Sequence, residues 1–170
     1  MTYLILLRLL HIVCGVFWAG ATLYLAGFII PAVKALGPDG GKFMQQLSRT
    51  NKLPVVMNIA GSLTVLCGIL LIERLSGTFQ LEWFTSQHGM LISIGGTIGL
   101  IAYVLGISVS LPTIIRMAAI GKIVAVAGGP PTPEQMQELQ KLRNRLFTAT
   151  NVIAILLLGS VILMSIARYY

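Results

Sequence analysis

Charge is scarce in this sequence. Of 170 residues, 12 are Lys or Arg and 5 are Asp or Glu, so 10% are charged against 56% hydrophobic, with a mean hydropathy of +0.87. A soluble domain carries about 25% charged residues to cover its surface, and this composition argues against that class. Disorder is excluded by the apolar content, and a disulfide scaffold by the presence of only 2 cysteines. There is no phosphate-binding glycine loop and no paired carboxylate motif. None of the acids Asp39, Glu73, Glu82, Glu134 and Glu138 lies within a long apolar run, which argues against a proton-coupled transporter relying on buried carboxylates. No duplicated half is visible, so a complete secondary transporter would require oligomerisation. A basic, aromatic-bearing soluble face for nucleic acid is also missing.

Long apolar runs are what the sequence does contain. Four stretches are free of charge: Leu9 to Val33 (25 residues), Leu53 to Ile72 (20), Trp83 to Ile115 (33) and Leu146 to Ala167 (22). A bilayer-spanning helix needs about 20 mainly apolar residues. Because every backbone group in lipid needs an internal partner, such runs imply helices, whereas a transmembrane barrel would show short alternating segments. The first segment has no basic start and has Arg8 inside it, and its apolar run is longer than a signal-peptide core. It is therefore expected to be retained. The expected fold is all-α: an integral membrane four-helix bundle in one domain, with spans at about 4–31, 53–73, 87–111 and 146–168.

The loops set the orientation. The first carries Lys34, Lys42, Arg49 and Lys52, and the third carries Arg116, Lys122, Lys141, Arg143 and Arg145, while the second carries only Arg74. Lys and Arg accumulate on the cytoplasmic side, so loops 34–52 and 113–145 are expected inside and both termini on the non-cytoplasmic side. The net charge of +7 then follows from topology and the anionic inner leaflet.

Local signals refine the helix ends. Pro54 suits a first helical turn, and Gly37-Pro38-Asp39-Gly40-Gly41 is a turn cluster, after which Lys42 to Thr50 predicts a short interfacial helix. Phe79, Leu81, Trp83 and Phe84 are expected as interface anchors, with Thr85 or Ser86 capping the third span. Pro112 predicts a kink, followed by a continuation to Ala127 and a Gly128-Gly129-Pro130-Pro131 linker. Thr132-Pro133-Glu134-Gln135 reads as a cap, a first-turn proline and a box-like glutamine. The helix begun there is expected to run unbroken into the last span. Gly15 with Ala19, and Gly95 with Gly99, predict close helix contacts.

Polar groups within apolar runs are costly and tend to face the bundle interior or a partner. His11, Cys14, Gly15 and Trp18 share one face of the first helix, and His88 opens the third from the same side. The two histidines are expected to differ in depth by roughly 5–10 Å. Three readings of them stand. They could ligate haem b in the bundle core, with Trp18 beside it and Arg8 meeting a propionate. His11, Cys14 and His88, with Met90, offer soft ligands for copper. Or His11 is a hydrogen-bonded structural residue and His88 is solvated at the interface. Arg8 otherwise snorkels to the interface. Asn58 and Asn151 are expected to bond across the bundle, or to form a polar inner vestibule. Ser93 and Thr97 are expected to bond carbonyls of their own helix, and Cys14 and Cys67 to be inert thiols. The methionines are scattered and read as packing.

The first helix, Leu7-Arg8-Leu9-Leu10-His11-Ile12-Val13-Cys14-Gly15-Val16-Phe17-Trp18-Ala19-Gly20, resembles the opening helix of two bacterial membrane groups, the copper-resistance protein D domain and the HemJ-type protoporphyrinogen oxidases. The likeness lies in His11, Trp18, Ala19 and Gly20, and it implies that His11 ligates haem or copper. The chain departs from the HemJ-type pattern where Ala32 follows Pro31. More of the chain is similar to a family of small bacterial four-helix membrane proteins without assigned activity, through Ala35-Leu36-Gly37-Pro38-Asp39-Gly40-Gly41, Pro130-Pro131-Thr132-Pro133-Glu134-Gln135 and Met164 to Tyr170. These resemblances imply a multi-pass protein of the bacterial inner membrane. Two functions are carried forward. One is haem or copper binding between the first and third spans, for electron transfer or metal handling. The other is a cofactor-free accessory subunit acting as a homo-oligomer or within a membrane complex. The expected partners are the bilayer and such subunits, with no nucleic acid.

Overall fold

The computed structural model describes Thr2–Tyr170, and among the described residues there are helices and no strands. In chain order they are α1 (Thr2–Ala35), α2 (Pro38–Arg49), α3 (Leu53–Leu75), α4 (Leu81–Thr85), α5 (Gln87–Ala127) and α6 (Pro133–Tyr169). α1, α3, α5 and α6 are long and apolar enough to cross a membrane. Their outward faces carry bare apolar side chains, with Ile5, Val16 and Ile155 each about two-thirds or more exposed (67%, 69% and 70%). Water would not tolerate such a continuous shell; hydrocarbon would.

Around the bundle α1 packs on α3, α5 packs on α6, and α6 closes against α1, while α1 and α5 sit diagonally and share no extended face. The central core draws on all four, with Trp18 and Ala19 from α1, Ala60 from α3, Ala102 from α5, and Ile153 and Leu157 from α6. Small residues permit the close approaches. A Cβ on Gly15 would come within 3.3 Å of the Thr64 methyl, and one on Gly99 within 3.1 Å of Ser160 Oγ. Ser160 Oγ in turn donates to the Gly95 carbonyl at 2.8 Å. The predicted glycine faces are thus interior contacts of the bundle.

α1 and α5 share an irregularity. Each contains a five-residue π turn, Leu25–Ile29 and Gly106–Ser110, ending two residues before a proline, Pro31 and Pro112. A proline removes one backbone donor and its ring collides with the carbonyl four residues back. Those carbonyls belong to Gly27 and Ser108, inside the wider π turns. The disturbance expected at Pro112 is therefore absorbed within a continuous helix, which stops at Gly128 in the left-handed conformation (φ 66°).

The predicted start of α6 is present as read. The Gln135 N–H donates to Thr132 Oγ1 at 3.3 Å and the Thr132 N–H to Gln135 Oε1 at 3.0 Å. From this capping box the helix runs unbroken from Pro133 to Ile166, and a single 3-10 turn follows. α5 has 41 residues, about 60 Å at 1.5 Å per residue. Its second half, from Leu111, also packs on α6. The apolar runs at 87–111 and 146–168 are thus parts of longer helices. α2 begins at Pro38 rather than Lys42, because proline is favoured in a first turn. Ser86, not Thr85, caps α5, its Oγ accepting from the Gly89 N–H at 3.1 Å. The Phe79 and Phe84 rings stack at 6.4 Å, and Trp83 meets Phe84 edge-on at 5.1 Å.

Candidate functional site

The two histidines do not come together; each is fixed to a different helix pair. His11 Nδ1 lies 2.8 Å from the Thr64 carbonyl oxygen of α3. A carbonyl only accepts, so Nδ1 carries a proton and donates it, and in the neutral ring Nε2 keeps its lone pair. The ring fits against α3 because residue 68 is glycine; a Cβ there would meet His11 Cε1 at 3.0 Å. His88 Nδ1 lies 2.7 Å from the Ala167 carbonyl oxygen of α6, by the same logic a donated bond. Trp83 packs edge-on against the His88 ring at 6.3 Å. His88 is half-buried and holds α5 to the end of α6, unlike the solvated interfacial residue that was one expectation. The expectation of a structural His11 matches its bond to Thr64.

The other candidate ligands are dispersed. Arg8 is exposed, Met90 is exposed, and Cys14 is a half-buried free thiol against the core. Among the described residues no three His, Cys, Asp or Glu side chains are grouped to hold a metal ion. A haem held by both histidines would have to bridge the diagonal of the bundle.

Trp18 occupies a different setting. About 10 Å farther along α1 than His11, it is buried and meets the Tyr103 ring of α5 edge-on at 6.2 Å. Both rings lie over Gly61 of α3, where a Cβ would come within 3.2 Å of Trp18 and 3.3 Å of Tyr103. The Tyr103 hydroxyl is 2.8 Å from Ser62 Oγ, which is itself 2.8 Å from the Asn58 carbonyl. As Ser62 donates to that carbonyl, the tyrosine donates to Ser62.

This aromatic pair bounds an open cavity of about 140 Å³ in the half of the bundle that carries the basic loops. Its wall is mostly apolar, including Met57, Met44 and Phe147, and no charged side chain lines it. Residues from both π turns, Leu25 and Ser110, reach it. The polar groups around it are few. Thr22, Asn58 and Thr150 return their donors to their own helices, to the carbonyls of Trp18 (2.8 Å), Pro54 (2.8 Å) and Leu146 (2.9 Å). Ser110 Oγ is buried and has no hydrogen-bond partner. Neither histidine lines the cavity.

Asn58 and Asn151 do not bond across the bundle. Asn58 turns back to Pro54, and Asn151 is exposed on the outer face of α6. The polar vestibule expected from the two as the alternative is not formed: Asn58 lines a mainly apolar cavity, and Asn151 does not line it. Ser93 and Thr97 bond the Gly89 and Ser93 carbonyls of their own helix at 2.6 and 2.8 Å, as expected. Tyr103 and Ser110 were not singled out by sequence. The available signal for Ser110 was Pro112 two residues on, which marks helix irregularity without saying what faces it. Compared with known proteins, the chain matches no family model, no curated protein and no solved structure.

Proposed function

We propose that this chain is a multi-pass protein of the bacterial cytoplasmic membrane, with its basic loops inside and both termini outside, which binds a neutral lipophilic small molecule in the cavity below Trp18 and Tyr103. The observation that carries this reading is the character of the wall: aromatic and methionine surface, no charge, and a buried Ser110 hydroxyl without a partner. An unpaired buried hydroxyl costs about 1–3 kcal/mol, a cost that a ligand acceptor would remove once the Ser110 side chain, whose Oγ exposes less than 1 Å², turns toward the cavity. Ligand sites are commonly concave and apolar, with a few polar groups that fix orientation. The absence of charge in the wall selects against ions and charged substrates, because desolvating them without a partner is costly. An uncharged ring or chain with a carbonyl or ether oxygen fits best.

The test is quenching of tryptophan fluorescence by a short-chain benzoquinone in the detergent-solubilised Trp83→Phe protein, which leaves Trp18 as the reporter. Saturable quenching is expected, weakened about tenfold by Ser110→Leu, which fills the cavity and removes the donor. Linear quenching, identical in the two proteins, would refute the reading and leave the cofactor-free accessory subunit standing.

A second reading is supported by the His11 geometry. A ring whose Nδ1–H is held by a carbonyl presents Nε2 in a fixed direction, the arrangement typical of ligating histidines. Haem bound through His11, as the helix-one resemblance implies, would give a Soret band that disappears in His11→Ala and persists in Ser110→Leu. Copper, the other cofactor carried from the sequence, would be detected by metal analysis of the same preparation.

A further inference from the structure

The basic end carries a second open cavity, of about 160 Å³, on the other side of Phe147. It is bounded by Val33, Lys34 and Gly37 at the end of α1 and by Arg143, Asn144 and Phe147 of α6. Val33 and Phe147 are buried (2% and 4% exposed) and give it an apolar back wall. Lys34 is exposed and its Nζ lies over the Phe147 ring, 5.6 Å from the centroid, on the cavity that the half-buried Arg143 also lines. No carboxylate lines the cavity. Among the described residues the ion pairs are Lys42 with Asp39 and Arg74 with Glu73, so neither Lys34 nor Arg143 has an acidic partner. Two like charges on one cavity repel unless an anion sits between them. The end of the α1 dipole opposes an anion there, but Leu36 and Gly37 N–H groups already take the Ala32 and Lys34 carbonyls (3.0 and 3.3 Å), and two full charges outweigh that partial one.

We propose that Lys34, Arg143 and Asn144 form a phosphate-binding site, of the kind filled by the head group of an anionic phospholipid or by a soluble phosphate. The guanidinium offers a fork of donors matched to phosphate oxygens, the ammonium a compact charge, and the amide further donors. Lys34 immediately follows one charge-free run and Arg143 lies three residues before another. That places both cations at the depth where the apolar zone ends and lipid phosphates lie, and basic pockets between helices are a known form of head-group recognition. This site uses residues separate from the donors of the Ser110 cavity and goes beyond the reading above.

The experiment uses the full chain in neutral detergent. Phosphatidylglycerol, phosphatidylcholine and inorganic phosphate are added separately, and both the melting temperature and the adducts retained in native mass spectrometry are followed. A saturable one-to-one phosphatidylglycerol adduct with a raised melting temperature is expected, weakened about tenfold in Lys34→Gln and in Arg143→Gln. Arg143→Lys, which keeps the charge and loses the fork, is expected to lose less. Lys122→Gln, which removes a cation of the same end outside the cavity, should bind like the parent. If inorganic phosphate reproduces the stabilisation with the same variant pattern, the site takes a soluble phosphate. If Arg143→Gln and Lys122→Gln weaken binding equally, or no phosphate compound binds, the proposal is overturned. The melting temperature of each variant without ligand separates lost binding from lost folding.

Discussion

The two ends of the bundle are built by different rules. Toward the end that carries both termini, side chains reach from one helix to another: His11 to the Thr64 carbonyl, His88 to the Ala167 carbonyl, Ser160 to the Gly95 carbonyl, with the Tyr103–Ser62 bond at the border. Toward the basic end, Thr22, Asn58, Ser108, Thr113 and Thr150 bond carbonyls of their own helices, and Ser110 bonds nothing. A hydroxyl that returns to its own helix satisfies itself without drawing a neighbour close. The first end is therefore tied by hydrogen bonds between helices, while the second is held by packing and the Lys34–Phe147 contact and encloses both cavities. The difference suggests that polar residues in a membrane bundle act as fasteners only where their donors cross between helices, and that space for a ligand persists where they do not.

The severest way to break the tied end is Gly95→Val. Even a Cβ there meets Met164 Cγ at 3.1 Å and Leu163 Cβ at 3.3 Å. Overpacking costs typically 1–3 kcal/mol, so a fall of roughly 5–10 °C in melting temperature is expected for a chain of this size, measured in detergent. Next come the histidines. Replacing either by Ala removes a cross-helix bond and should cost about 1–2 kcal/mol. Because the rings serve separate helix pairs, the two losses should add in the double variant within about 0.5 kcal/mol. A larger coupling would mean that the rings share a ligand, which makes this cycle a cofactor test independent of colour. Tyr103→Phe should cost about 1 kcal/mol, because it cuts the last tie before the cavity. Ser110→Ala reverses the sign: with no bond to lose, the apoprotein should be unchanged or more stable by up to about 1 kcal/mol, while probe affinity falls.

The smallest expected effect lies at the start of α6. The Glu134 carboxyl is held below its ordinary value of 4.5 by a backbone N–H of its own residue and by the Thr132 hydroxyl, against slight desolvation. A lowered folded pKa stabilises the helix start above the unfolded value, and that contribution disappears as pH falls through the folded one. Acidification below pH 4.5 should therefore fray this first turn in the parent. Glu134→Gln should lack that acid step when amide exchange is followed there.

Much of this architecture was legible in one sequence because it rests on local rules. Charge-free runs located the four long helices, Thr132 and Gln135 the capping box, and Gly95 and Gly99 a helix contact. What sequence could not supply was the partner across the bundle. His11 and His88 share a terminal side in one dimension, yet α3 and α6 stand nearer to them than they do to each other. Asn58 and Asn151 lie at similar depth but on faces that do not meet. The cavity depends on all four helices together and on π turns whose only local trace is a proline.

Those π turns also govern angular register. A π turn winds one extra residue into a helix, so everything beyond it is rotated by about 100° from where an uninterrupted α-helix would place it. Counting along α1 at about 100° per residue, Ile30 would lie about 120° from Trp18 without the turn and about 20° with it. Ile30 and Val33 are in fact buried at 3% and 2% exposure, against Phe147 and Met44. Deleting one residue among Leu25–Ile29 would remove the extra residue and leave a regular α-helix with Ile30, Val33 and Lys34 still facing α6, whereas straightening the turn at constant length would swing them away by about 100°. The stretch therefore tolerates the loss of one residue more readily than a change that forces all of its residues into a regular α-helix.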